Sequence, residues 1–295
     1  MDFWVQKIKH NGILLMILAS ILFSIMGAMA KLVMHRLPFM EAVFFRALIT
    51  FIFLAPYLHI KKIPFFGTHK WLLFVRSFSG FVALSLAFYV TTQIPLADAA
   101  LLNHTSTIFV ALFSVFFLGE NLTPLLGGYI LLAFGGAAMI IKPGFEWNWQ
   151  AGMLGLASGL FAAFAYIAIK KLHHRESFLT MVFDFSLVSA IGSLIWLLST
   201  GGFVPLMKSE WFYVGILGVS GTFAQMLMTY AYKYAPASIV SPYQFSTVLF
   251  SALWGVLFWG EMPDVYSLMG AALIIACGVG ILRINKKGIE EVTCV

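Results

Sequence analysis

The sequence predicts an all-α integral membrane protein whose ten transmembrane helices form two inverted five-helix repeats. Three observations carry this expectation: the apolar content, the spacing of the apolar stretches, and one segment that occurs twice. Hydrophobic residues make up 61% of the 295 and charged residues only 10%, against roughly a quarter charged in a soluble domain. A soluble fold has no interior large enough for that much apolar surface, so lipid is the solvent. With no water at hydrocarbon depth, the backbone must bond to itself, and it must therefore be helical.

Charged residues and Pro/Gly breaks cut the chain into ten apolar stretches. Each is about 20 residues long, enough to cross ~30 Å of hydrocarbon at ~1.5 Å per residue. The first five are 12–32, 39–59, 70–92, 96–118 and 122–141. Pro38 opens the second, Lys61-Lys62 closes it, and Pro95 separates the third from the fourth. The second five are 151–170, 178–199, 209–232, 236–259 and 265–284, with Lys170-Lys171, Gly201-Gly202, Lys233 and Gly260-Glu261 at their ends. Joining loops are short and leave no room for a soluble domain. The expected organisation is a first repeat over 1–142, a connecting loop over 143–149, a second repeat over 150–285 and a tail over 286–295.

Orientation follows from the basic residues. With the N-terminus inside, twelve Lys and Arg fall in cytoplasmic segments and four (Lys31, Arg36, Lys142, Lys208) on the other side. This positive-inside bias places both termini in the cytoplasm. It also accounts for the net charge of +6 without nucleic acid as a partner. Lys7, Lys9 and the following apolar run, with Ala28-Met29-Ala30, also fit a secretory signal. However, Ala19-Ser20 and Leu22-Phe23 match Ala157-Ser158 and Leu160-Phe161 at an offset of 138, so the first span is expected to stay as part of the symmetry. Cys277 and Cys294 are the two cysteines. One lies in the last span and one in the tail, so neither a disulfide nor a metal framework is expected.

The duplicated segment is Pro95 to Glu120, which returns without a gap as Pro236 to Glu261 at an offset of 141. Shared Leu, Val and Ala mean little in apolar sequence. A proline at one end and a Gly-Glu pair at the other, in both copies, is harder to reach by chance. Five spans per copy is odd, so the second copy enters the membrane upside down. Inverted copies have two nearly equivalent packings, which is the physical basis of alternating access around a midplane site. Gly155 and Gly159 add a GxxxG helix contact,.

The order of several short motifs resembles the EamA-like branch of the drug/metabolite transporter superfamily. They are Phe44-Phe45-Arg46-Ala47, Arg76-Ser77-Phe78-Ser79-Gly80, Phe88-Tyr89, Ile94-Pro95-Leu96-Ala97-Asp98-Ala99 and the two Gly-Glu endings. The resemblance covers essentially the whole chain. It implies a ten-helix secondary transporter, most often an exporter, with a central cavity between the halves. It further implies a substrate among amino acids, nucleotide-like cofactors or organic cations. The chain departs from the family pattern at Arg76-Ser77, where Arg-Gly is common, and at Pro242, Tyr243 and Phe245, where Pro-x-x-Tyr is common.

Polar residues within the spans are the candidate site. A charge at bilayer depth costs at least ~2.5–3.5 kcal/mol, so each needs a partner or a wet cavity. Depth along the spans pairs Arg46 with Asp98 near the outer side and Arg76 with Asp184 near the inner side. Such pairs serve as fixed structural contacts, or as gates and contacts for an anionic substrate group. Asn103 and Gln244 fall on one another at the repeat offset. They can meet a substrate across the pseudo-twofold axis, or bond one another. Thr107, Gln225, Tyr232 and Tyr243 join them as substrate contacts, and Trp254 is placed to close one end of the cavity. His104 is the histidine deep in a span, suited either to proton coupling or to a neutral hydrogen-bonded role. Glu120 and Glu261 sit at membrane edges, where a carboxylate is stabilised by the macrodipole of the following helix.

No HExxH, GxSxG or Walker-type loop occurs, so an enzyme and an ATP-driven pump are both disfavoured. Rings of like charge, as in a channel, are missing too. A lipid or lipid-precursor flippase on the same fold is the alternative to a metabolite carrier. No cofactor or metal is expected. The expected partners are a small-molecule substrate and the bilayer of a bacterial cytoplasmic (inner) membrane, with the protein a monomer or homodimer.

Overall fold

A computed structural model describes residues 2–118, 124–141, 149–172, 175–234 and 241–293. Among these residues all regular structure is helical, and no strand occurs. The first half holds α1 (Asp2–Val33), α2 (Phe39–Ile60), α3 (Lys70–Gln93), α4 (Leu96–His104), α5 (Ser106–Leu118) and α6 (Pro124–Ile141). The second holds α7 (Trp149–Leu172), α8 (Phe178–Thr200) and α9 (Lys208–Tyr234). A 3-10 turn at Ser241–Phe245 then leads into α10 (Ser246–Trp259), and α11 (Val265–Thr293) closes the chain. Six stretches are long and apolar enough to cross a bilayer: Gly12–Val33, Phe39–Ile60, Lys70–Gln93, Trp149–Leu172, Phe178–Thr200 and Lys208–Ala231. Shorter apolar helices cover Gly127–Met139, Tyr243–Trp259 and Val265–Cys277.

The fourth and ninth expected spans differ from simple helices. The fourth is broken at Thr105, which separates α4 from α5. There the Thr105 N–H donates to the Leu102 carbonyl at 3.2 Å, a tightened i→i−3 bond, and its hydroxyl donates to the same carbonyl at 2.6 Å. Among its described residues the ninth runs from the 3-10 turn into the α-helix at Ser246. The two breaks lie at matching places in the duplicated segment. Backbone irregularity at bilayer depth is tolerated where protein or a wet cavity surrounds it.

Helices pack through small residues because lipid gives no hydrophobic drive between apolar surfaces. α7 buries Gly155, Ser158, Gly159, Ala162 and Ala163, and α1 buries Ala19, Ala28 and Ala30. The GxxxG pair is used: a Cβ on Gly159 would stand 2.9 Å from the Leu102 carbonyl and 3.1 Å from the Ser106 nitrogen, and one on Gly155 would meet the Leu102 side chain at 2.8 Å. α7 therefore sits directly on the break in the fourth span. The large exposed side chains, among them Ile52, Phe53, Ile195, Leu198, Leu249 and Leu257, face outward, where lipid accommodates them. The main packed pairs are α1 with α9, α3 with α7, α2 with α8 and α6 with α11. Every pair joins the first half of the chain to the second.

The two ends of the bundle are tied by polar contacts. At the far end, remote from the start of α1, Glu261 pairs with Lys31 and accepts the Leu96 N–H at 2.9 Å. The Gly-Glu motif explains the geometry. Gly260 takes a left-handed φ of 65°. Its N–H reaches the Val256 carbonyl and that of Glu261 reaches the Gly255 carbonyl, both at 3.1 Å, so α10 ends in an αL cap. The chain then turns back so that Glu261 caps α4. Its expected place at the start of the following helix is thereby corrected: the helix whose N–H it accepts is α4. Glu120 lies outside the described residues. Arg36 and Glu210 pair at the same end, with Arg36 Nε donating to Glu210 Oε1 at 2.7 Å. At the near end, Glu176 accepts the Thr68 and His69 N–H groups at 2.7 and 2.9 Å and the Thr68 hydroxyl at 2.8 Å.

Candidate functional site

A cavity of about 170 Å3 lies between the halves, lined by residues of α1, α2, α3, α4, α7, α8, α9 and α10. Its walls are mostly apolar, with Phe23, Met26, Ala83, Leu84 and Met228 among them, and polar groups converge from several helices. That combination is the usual make-up of a small-molecule site.

Two arginines dominate it. Arg46 is eight residues into α2, which starts at the far end, and Arg76 is seven residues into α3, which starts at the near end. At ~1.5 Å per residue each enters about 10 Å from its own side, and their side chains converge on Phe185 of α8. The Arg46 Cζ lies 5.2 Å from the Phe185 ring centroid and the Arg76 Cζ 4.5 Å, both within cation–π range. Both arginines are 2% exposed. Arg46 Nε also contacts Met26 Sδ at 3.2 Å. Arg76 Nε and Nη1 have no hydrogen-bond partner among the described residues.

Glycines make the arrangement possible. A Cβ on Gly221 of α9 would stand 2.9 Å from Arg46 Nε and 2.8 Å from Met26 Sδ, and one on Gly80 of α3 would stand 3.0 Å from the Phe185 ring. α9 thus holds Arg46 from behind with bare backbone.

The expected charge pairs are not the contacts found. Asp98 accepts a hydrogen bond from the buried Ser267 hydroxyl at 3.1 Å, which turns it toward α11 while Arg46 turns toward α8. Asp184 accepts the Ser77 hydroxyl at 2.6 Å, one residue along α3 from Arg76. Among the described residues neither arginine makes an ion-pair contact with a carboxylate. Counting along a span gives depth but not the direction a side chain takes around the helix.

Asn103, His104, Gln225 and Gln244 all line the cavity, with Thr247 and Ser251 beside them. Asn103 Nδ2 donates to Ser158 Oγ at 3.1 Å, and across the bundle Ser20 Oγ donates to the Tyr243 carbonyl at 3.1 Å. His104 ends α4, with its ring 6.0 Å from that of Phe245. Its Nδ1 has no partner among the described residues. The other expected contacts fall elsewhere. Thr107 lies one turn beyond the lining, and Tyr243 is 37% exposed with its side chain off the cavity wall. Trp254 turns from the cavity to α1, where its Nε1 donates to Ser24 Oγ at 3.1 Å, and stacks on Phe258. The Tyr232 side chain lies outside the described residues.

The family model for the EamA-like transporter family matches this chain twice, over residues 10–142 and 149–283. The chain belongs to the EamA-like transporter family. This EamA-like chain is 34% identical to the pseudopaline exporter CntI of Pseudomonas aeruginosa, over 96% of this chain and 100% of that protein. It is 30% identical to an uncharacterized transporter of Helicobacter pylori over 91% of this chain and 93% of the relative. With the S-adenosylmethionine uptake transporter of Rickettsia prowazekii it shares 26% identity over 97% of both. A solved crystal structure superposes with a TM-score of 0.69 at 17% identity, covering 94% of this chain and 98% of its own, which supports the fold. The family and these relatives are transporters rather than enzymes, so the EamA-like chain is a membrane transporter.

Residues not singled out from the sequence complete the candidate site of this EamA-like transporter: Phe185 between the arginines, Tyr166 on the cavity wall, and Gly221 behind Arg46. Phe185 follows Asp184, and Arg46 with Asp184 are repeat equivalents. That offset was the available signal for looking beside Asp184. Gly221 and Tyr166 carry none in a chain with 25 Gly and 10 Tyr.

Proposed function

We propose that the protein is a secondary active transporter that exports a small polar or amphipathic metabolite by alternating access. The observation that carries the reading is one cavity lined from both halves, with buried Arg46, Arg76, Gln225 and Gln244 on its wall. Ten crossings in two inverted repeats are the architecture proposed, with both termini on the cytoplasmic side of a bacterial inner membrane. Exchanging the halves sends α1–α9 to α7–α3 and leaves α2–α8 and α6–α11 in place, so the observed pairing supports a twofold relation. The breaks at Thr105 and before Ser246 support the same relation, and the equivalent serines Ser158 and Ser20 each bond at the opposite break, to Asn103 and to the Tyr243 carbonyl. Discontinuous helices meeting at such an axis are where carriers place their sites.

Export is favoured over import because the relative named as an exporter is 34% identical while the one named for uptake is 26% identical. Each half moves against the other as the far-end ties at Lys31–Glu261 and Arg36–Glu210, or the near-end tie at Glu176, release in turn. Vesicle reconstitution tests the reading. Net flux should saturate with substrate and collapse when the driving ion gradient is dissipated. Flux that rises linearly without limit would point to a channel, and lipid scrambling without solute flux to a flippase.

A further inference from the structure

We infer that the Arg46–Phe185–Arg76 stack is a receptor for a carboxylate of the transported molecule. The inference rests on the carrier reading of the same cavity and names the chemistry of its cargo. Two guanidinium groups stand on one aromatic ring, at 5.2 and 4.5 Å from its centroid, inside a cavity lined from both halves. Both side chains are 2% exposed, so water does not satisfy them from outside. Arg76 Nε and Nη1 have no hydrogen-bond partner among the described residues. A buried guanidinium left without its bonds is costly, and five donors in a planar fork match the two oxygens of a carboxylate. The stack is therefore completed by an anion that comes and goes.

The charge balance selects the kind of anion. Arg46 and Arg76 supply two positive charges, and the Asp184 carboxylate, bonded to the Ser77 hydroxyl next to Arg76, offsets one. One net positive charge fits a monoanion, so a carboxylate suits the site better than a phosphate dianion. Asn103, Gln225 and Gln244 also line the cavity, where they can bond a neutral polar group of the same molecule. Met26 and Met228 supply apolar surface for the part between. The cargo class is an amphipathic carboxylate with a hydrogen-bonding group at its other end.

The test is ligand binding by the purified protein in nanodiscs, read by thermal melting and titration calorimetry. Probes are N-acetylleucine, N-acetylphenylalanine and hexanoate, each against its primary amide, with methyl phosphate as the phosphate arm and sodium chloride at matched ionic strength. At least one carboxylate should stabilise the wild type while its amide does not. Arg46→Gln and Arg76→Gln should each weaken it by about tenfold or more, the worth of one lost charged hydrogen bond. Arg76→Lys, which keeps the charge and loses the fork, should fall between. Binding of amides equal to that of acids, tighter binding of methyl phosphate, no binding by any carboxylate, or unchanged affinity in Arg76→Lys would each overturn the inference. Should the Gln variants fail to fold, the amide pairs and the Lys variant still decide. Binding with these properties but no counterflow of the bound probe would sink the carrier reading and leave this one standing.

Discussion

Lys31 and Glu261 join the two halves of the chain across 230 residues, and the second carboxylate oxygen of Glu261 takes the Leu96 N–H at 2.9 Å. One side chain thus fixes α1, the start of α4 and the end of α10 at the far end of the bundle. The side chains are only 12% and 19% exposed, so the pair is better shielded from water than an ordinary surface ion pair.

Glu261→Gln should lower stability by about 1–3 kcal/mol, because it leaves Lys31 partly buried without its counter-charge. Chemical or thermal unfolding in nanodiscs measures the loss, and hydrogen exchange at Leu96 should rise in the same variant. An unchanged exchange rate at Leu96 would mean that the carboxylate does not cap α4.

The near-end clasp predicts a pH dependence. Burial works against ionisation of Glu176, but hydrogen bonds from His69 and Thr68 outweigh it and hold the carboxyl below its ordinary value. A lowered folded-state pKa means stability that is present above the unfolded value, near 4.5, and lost as pH falls through the folded value. The stability gap between wild type and Glu176→Gln should therefore be flat at neutral pH and close only in acid. A gap that widened on acidification would contradict the clasp.

Two glycines on one helix should respond oppositely. A Cβ on Gly215 meets nothing within 4 Å, whereas on Gly221 it stands 2.9 Å from Arg46 Nε. Gly215→Ala should stabilise α9 by about 0.5–1 kcal/mol through backbone entropy. Gly221→Ala should displace Arg46 and reduce substrate counterflow several-fold. Melting curves and counterflow on the same preparations separate the two effects, and equal behaviour of the two variants would show that Arg46 has room to move.

Gly159→Ala places a methyl group against the Leu102 carbonyl and the Ser106 nitrogen. Overpacking of this kind costs about 1–3 kcal/mol. The loss should be seen as a lowered melting temperature, with weaker protection of the amides around Thr105. Gly215 of α9, where an added Cβ meets nothing within 4 Å, provides the control.

The membrane character, the helix boundaries near Pro38, Lys61, Lys70 and Pro95, and the cavity-lining level of Asn103, His104 and Gln244 were legible in the sequence. They depend on hydropathy, on breakers and on repeat offset, and all three survive without knowledge of packing. The directions of Arg46, Asp98 and Trp254 were not legible. Each depends on rotation about a helix axis, and helices that are apolar on every side carry no stripe from which to read it. The break at Thr105 was hidden for a related reason. No proline or glycine marks it, and only the close approach of Gly159 from α7 shows why the chain yields there.

The far-end ties are made of opposite charges, and Arg36 of the Arg36–Glu210 pair is 34% exposed. Ion pairs at that depth feel dissolved salt within a Debye length of about 8–10 Å. With that end facing outward, as proposed, the saltiness of the surroundings sets how readily the exit unlocks. A cell moving from fresh to saline medium would then change the tempo of the carrier without making any more of it.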